Sequence, residues 1–251
     1  MIDDLLLCVA RLSTYAGDLF LSTATGFYFK RAGRLYLVTS RHVVCDADSG
    51  HHPDRLVVEV HTDRNNLTAV TSCILPLYTN GISRWRQGSD AAGEVDMVVL
   101  PIADHELPEA GLIVPFTPDH LLAPDEVLAI GTPLVLVGFP LGFQDTLHHL
   151  PVARQGMLAS SFGFRFQGQG YFLTDARMHR GGSGTPVVAP TGPLPSSQLN
   201  SWRLLGVHSA RLDLITRDLG IDEALGLNCC WYADMIMTLT DADTDEATGN
   251  P

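Results

Sequence analysis

Nine short apolar or alternating runs recur along this 251-residue chain between breaks rich in glycine and proline, and no helical period is sustained through its middle. The runs are "TGFYF" (25–29), "LYLVTS" (35–40), "LVVEV" (56–60), "DMVVL" (96–100), "LVLVGFP" (134–140), "GYFLT" (170–174), "PVV" (186–188), "LLGVHSA" (204–210) and "LNCCWY" (227–232). Runs of this length read as strands, and many of them at short spacing with turn residues between predict an all-β barrel or sandwich. The length allows one large β domain or two small ones. One helical period stands out, in "ADMIMTLTD" (233–241), where Met235, Ile236 and Leu239 fall on one face and predict a short C-terminal helix. Four prolines (Pro108, Pro115, Pro118, Pro124) with little periodicity between them make 107–127 a connector. It divides a first half of about 1–106 from a second of about 128–232. The acidic, polar residues 242–251 bury too little apolar surface to offset the entropy of ordering them and predict a frayed tail.

Charge narrows the partners. Sixteen Lys and Arg against 28 Asp and Glu give a formal charge of −12, with no basic run, which excludes non-specific attraction to nucleic acid or to an anionic membrane surface. No apolar run reaches the roughly 18 residues of a membrane span. "MIDDLLLCVARL" carries acids where a secretory signal has positive charge, and reads as mature sequence. Cys8, Cys45, Cys73, Cys229 and Cys230 form no metal-type cluster and no even set at regular spacing, so a reducing, cytoplasmic setting is expected.

The chemistry gathers at three places. In "HRGGSGTPVV" (179–188), Ser183 stands among glycines before an apolar run. Such a turn is ordinary on its own, because glycine and serine suit turns for backbone reasons. His42 follows a buried strand closely in "LYLVTSRHVV", where a rigid scaffold presents a side chain to solvent. Asp96 heads four apolar residues in "GEVDMVVL", at the edge of a core, where a carboxylate needs a donor and an imidazole N–H supplies one. The nearest other acid, Asp90, lies in polar "RQGSD" and reads as a solvated loop residue. The chain order His42, Asp96, Ser183 is one in which a Ser-His-Asp triad is known. The rival order, with the histidine last, fails: His208 is the sole histidine after Ser183 and no acid lies between them.

With these motifs in sequence, "TGFYF…YLVTSRHVV…VDMVVL…GFPLG…TDARMHRGGSGTPVV…LLGVHSA", the chain resembles the trypsin-like serine peptidases from residue 25 to 210. It is most similar to the bacterial branch that includes the high-temperature-requirement proteases and the glutamyl endopeptidases. The resemblance implies an all-β fold of two packed six-stranded antiparallel barrels, chymotrypsin-like, with a short C-terminal helix. It implies a serine endopeptidase acting on protein or peptide substrates without metal or organic cofactor. By motif position His42 is the general base, Asp96 orients it, and Ser183 is the nucleophile. The backbone N–H groups of Gly181, Gly182 and Ser183 are the oxyanion-hole candidates.

Departures from the family pattern carry information too. Gly182 occupies the place where trypsin-type zymogens carry the aspartate that pairs with a newly cut N-terminus, so the site must be formed by other means. Val43 replaces the cysteine of the family's disulfide, and no PDZ-type module follows the protease region. On the substrate side, Arg177 falls at the family's pocket base, and His208 and Ser209, in "GVHS", fall along its wall. A cation and an imidazole there would favour an acidic residue before the scissile bond. The alternative to an enzyme is a protease-derived module that holds a peptide without cutting it. The oligomeric state has no signature in the sequence.

Overall fold

The computed structural model describes residues 2–123, 125–192, 197–215 and 222–241, with the side chains at 213–215 and 222–224 left aside. The expected tail, 242–251, lies outside the described residues. The first half holds β1 (Val9–Ala16), β2 (Leu19–Arg31), β3 (Arg34–Thr39), β4 (Arg55–His61), β5 (Val70–Pro76), a two-residue hairpin of β6 (Tyr78–Thr79) and β7 (Ile82–Ser83), β8 (Arg86–Asp90) and β9 (Gly93–Ile102). The second holds β10 (Pro133–Gly138), β11 (Val152–Met157), β12 (Tyr171–Thr174), β13 (Pro186–Pro190), β14 (Trp202–Ile215) and β15 (Asp222–Tyr232). Helices are short: α1 (Asp4–Leu7), α2 (Arg41–Val44) and α3 (Met235–Leu239).

Every ladder between these strands is antiparallel. The first sheet runs β5-β4-β1-β2-β3-β9-β8 and the second β11-β10-β13-β14-β15-β12, with a bridge from Leu158 to Thr174 drawing the second sheet's edges together. The first sheet therefore has seven strands where six were expected. The additional one is β8, whose sequence RQGSD has no apolar alternation and is held instead by pairing to β9.

Two of the buried cores explain the patterns in the first half. In β4, Leu56, Val58 and Val60 point inward while Arg55, Val57, Glu59 and His61 stay half-buried, the period of two that a one-sided strand requires. The run from Ala24 to Phe29 in β2 is buried without a break because it has core on both faces. Ala24 and Tyr28 join the first sheet's own core, whereas Phe27 and Phe29 join a cluster between the two halves. That central cluster also takes Val95 and Met97 from β9, Val188 from β13, Val207 from β14 and Phe116 from the connector. Phe116 is fully buried, edge-on to Phe27.

The C-terminal helix forms within the expected segment, shortened to five residues, with Ile236 and Leu239 buried. It closes against the first sheet, where Arg31 donates to the carbonyl of Met237 and Arg86 to that of Leu239, satisfying carbonyls a helix end leaves open. Among the described residues no helix is long and apolar enough to cross a membrane.

Candidate active site

His42 owes its position to a turn. Strand β3 ends at Thr39, Ser40 keeps an extended backbone (φ −73°, ψ 146°), and the chain then enters α2, where buried Val43 and Val44 pin the helix to the first core. The imidazole emerges beside β9. Asp96 is the one acid between Val95 and Met97, both buried in the central cluster, so its carboxylate sits at that core's edge. Its Oδ1 accepts the backbone N–H of His42 (2.9 Å) and its Oδ2 lies 2.7 Å from His42 Nδ1. A carboxylate can only accept, so Nδ1 carries the proton and Nε2 is left as an acceptor. Ser183 Oγ lies 2.8 Å from that Nε2, and 3.2 Å from the carbonyl of Ser209. The three residues named from sequence therefore meet in one hydrogen-bonded line, two from the first half and one from the second.

Electrostatics support this arrangement. Burial works against the charged imidazolium of His42, yet the hydrogen bond and charge of Asp96 outweigh it and raise the pKa above its ordinary value. Burial likewise opposes the Asp96 carboxylate, but the bonds from His42 and from the Ser209 hydroxyl hold its pKa below the usual range. Ser209, placed on the substrate side by sequence position, thus spends its side chain on Asp96. Nothing in its local sequence announces this, because the two residues are 113 positions apart.

The turn around Ser183 is shaped by two glycines. Gly184 has φ +85°, and a Cβ there would lie 2.0 Å from the carbonyl oxygen of Thr25, so the turn is pressed against β2. Gly181 has φ +81°, and its Cβ would lie 2.8 Å from the nitrogen of Leu141. The peptides on either side of Gly181 are fixed by their carbonyls: that of Arg180 accepts the N–H of Leu141 (2.6 Å), and that of Gly181 accepts the hydroxyl of Thr25 (3.0 Å). The N–H groups of Gly181 and Ser183 make no hydrogen bond to the described residues. Gly182, grouped with them on sequence, differs: its N–H closes the turn onto the carbonyl of His179 (3.1 Å) and is already used.

Arg177 is exposed, whereas His208 is buried with its Nδ1 unpartnered among the described residues. Burial, then the neighbouring charge of His42, push the His208 pKa down to about 3, so this imidazole is neutral. The charges that act on it are those of His42, Asp96 and Arg211, not that of Arg177. Of the cation and the imidazole expected in the pocket, the imidazole therefore carries no charge. Asp90 is not a loop residue but the last of β8, and it pairs with Arg165 (2.5 Å), away from His42.

A cleft of about 260 Å³ beside the line is bordered by Thr23, His42, Asp46, Arg180 and Ser183. A more apolar cavity of about 360 Å³, walled by Leu122, Phe162, Leu205 and Tyr232, contains none of these residues. Among the described residues no three His, Cys, Asp or Glu side chains group so as to hold a metal ion. What the line can do chemically is relay one proton: Ser183 to His42, with Asp96 facing the imidazolium that results.

The match to known proteins agrees with this geometry. Residues 24–194 fit the family model described as trypsin-like peptidase domain, and the chain belongs to that family, which makes it a serine peptidase by class. Among solved structures it is similar to the serine endoprotease from Yersinia pestis, with a TM-score of 0.54 and 14% identity over 93% of this chain and 61% of that one. It is also similar to Rv3671c from M. tuberculosis H37Rv, solved as a serine-to-alanine mutant in an inactive form, with a TM-score of 0.51 and 14% identity over 99% of this chain and 90% of the other. At such identity these likenesses bear on the fold alone, and the chain spans about three-fifths of the Yersinia protein's length. Comparison with curated proteins by sequence gave no match.

Proposed function

We propose that this protein is a serine endopeptidase that cleaves peptide bonds through an acyl-enzyme on Ser183. The observation that carries the reading is the unbroken line Asp96, His42, Ser183, with contacts of 2.7 and 2.8 Å and a single orientation of the imidazole consistent with both. Ser183 Oγ attacks the substrate carbonyl as its proton passes to His42 Nε2. The oxygen of the tetrahedral intermediate gains negative charge within reach of the N–H groups of Gly181 and Ser183, where a preformed donor is worth ~10²–10³ in rate. His42 then gives its proton to the leaving amine, the C–N bond breaks, and a water attacks the ester by the same steps in reverse.

Asp96 favours this sequence twice, holding the productive tautomer and meeting the imidazolium charge. The acidic preference rests on Arg177, since His208 is neutral and offers a carboxylate no charge. The five cysteines are all unpaired, which fits work in a reducing compartment such as the cytoplasm. Incubating an unfolded protein such as casein with wild type and with Ser183→Ala tests the reading. Hydrolysis by the first and none by the second is expected. Equal rates would remove Ser183 from the chemistry, and no hydrolysis by either would favour a module that holds peptides without cutting them.

A further inference from the structure

Gly182 removes the side chain that, in trypsin-type enzymes, locks the oxyanion hole on activation, so something else must hold the N–H of Gly181 toward the substrate. The turn that does so is visible. Leu141, in a left-handed conformation (φ 56°), donates its N–H to the carbonyl of Arg180, which fixes the peptide whose nitrogen belongs to Gly181. The turn begins a loop, 139–150, that leaves the second half and crosses to the first. At its near end Phe139 donates its N–H to Thr25 Oγ1 of β2 (3.0 Å), and its far end meets the first sheet through specific polar contacts. Glu59 of β4 takes a hydrogen bond from Gln144 Nε2 (3.2 Å) and faces His149 Nδ1 (3.1 Å), while Arg11 of β1 holds the other carboxylate oxygen (3.6 Å). His61, two residues along the same face of β4, bonds through Nε2 to the carbonyl of His148 (2.7 Å). Within the loop, His148 pairs with Asp145 (2.7 Å), and the N–H of His149 bonds the carbonyl of Asp145 (2.7 Å), so the far end is rigid where the first half grips it.

We infer that the first half positions the oxyanion donor through this loop, with Glu59 as the positioning residue that joins Arg11, Gln144 and His149. Glu59 touches neither substrate nor triad. It works by keeping the loop's far end on β4, so that Leu141 at its near end stays bonded to Arg180. The inference rests on the reading of Gly181 as an oxyanion donor, and an activity-independent measurement separates the two.

Glu59→Ala in the full chain is the variant, followed by kinetics and by backbone hydrogen exchange. The expected result is a kcat lowered at least about tenfold, up to the ~10²–10³ that loss of one oxyanion donor costs, with KM changed less than about threefold. Affinity for a peptide aldehyde, whose adduct places an oxyanion in the hole, falls by a similar factor, and the acid limb of the pH profile, set by His42, does not move. Exchange speeds up at 139–150 and 178–184 but not at 36–45. His149→Ala, which removes only the loop's side of the His149–Glu59 contact, repeats the pattern if Glu59→Ala folds poorly. Wild-type kcat together with wild-type exchange at 178–184 in either folded variant overturns the inference. Faster exchange at 178–184 in a protein that never hydrolyses a peptide supports the coupling and instead overturns the peptidase reading.

Discussion

Asp96 shows how far one half-buried residue governs its neighbours. It accepts from the backbone and side chain of His42 and from the hydroxyl of Ser209, and these bonds keep it ionised despite burial. Asparagine would present an N–H to Nδ1 and turn the imidazole to the wrong tautomer, so Asp96→Asn should lower kcat by roughly 10⁴ with the fold retained. A loss under about tenfold would move the orienting role to another residue. The raised pKa of His42 sets the pH dependence. Below it the imidazole is protonated and cannot take the serine proton, so kcat/KM falls with decreasing pH around a midpoint above the ordinary histidine value of 6.5. A midpoint at or below 6.5 in a pH profile would contradict the ion-pair account. The proposed catalytic residues could be picked out because their chain order and the family motifs single them out; the local contexts, the end of a buried strand, the head of an apolar run and a glycine-framed turn, are each ordinary alone. The bond from Ser209 to Asp96 and the neutrality of His208 could not, because a hydrogen bond across 113 residues and the depth of a side chain leave no local pattern.

At the level of elements, the turn carrying Ser183 and strand β2 depend on each other. The carbonyl of Ser183 accepts the N–H of Thr25 (3.0 Å), and the missing Cβ of Gly184 is what lets the turn close on that strand. Gly184→Ala puts a methyl group 2.0 Å from a backbone oxygen at a φ of +85°, so it should destabilise the protein and abolish activity together. Unchanged thermal melting would show that the turn has room to shift. Strands with core on one or both faces, such as β4 and β2, could be read from their alternating and continuous apolar runs. Strands β1 (VARLSTYA), β8 (RQGSD) and β11 (VARQGM) could not. Each mixes polar residues into both faces and is fixed by pairing with a neighbour that the sequence does not point to. The helix α2 escaped for a different reason: four residues are too few to show a period.

For the molecule as a whole, the site exists only where the two halves meet. His42 and Asp96 come from one, Ser183 and Ser209 from the other, and the central cluster between them fixes their spacing. Phe116 in the connector belongs to that cluster, fully buried, so Phe116→Ala should cost about 3–5 kcal/mol, seen as a lower denaturation midpoint. A cost below about 1 kcal/mol would mean that the connector is not part of the core. All five cysteines are unpaired, and burial drives the Cys230 thiol up to about 12, so adding reductant should leave the melting temperature unchanged. A drop would reveal a disulfide the fold does not contain. The central claim, an activated Ser183, has its most direct test in a fluorophosphonate probe followed by mass spectrometry of the labelled peptide, since the probe reacts with a serine whose proton has a base to receive it. The account predicts one adduct, on Ser183, lost in His42→Ala. Labelling that survives in His42→Ala, an adduct elsewhere, or none at all in the folded protein would contradict it.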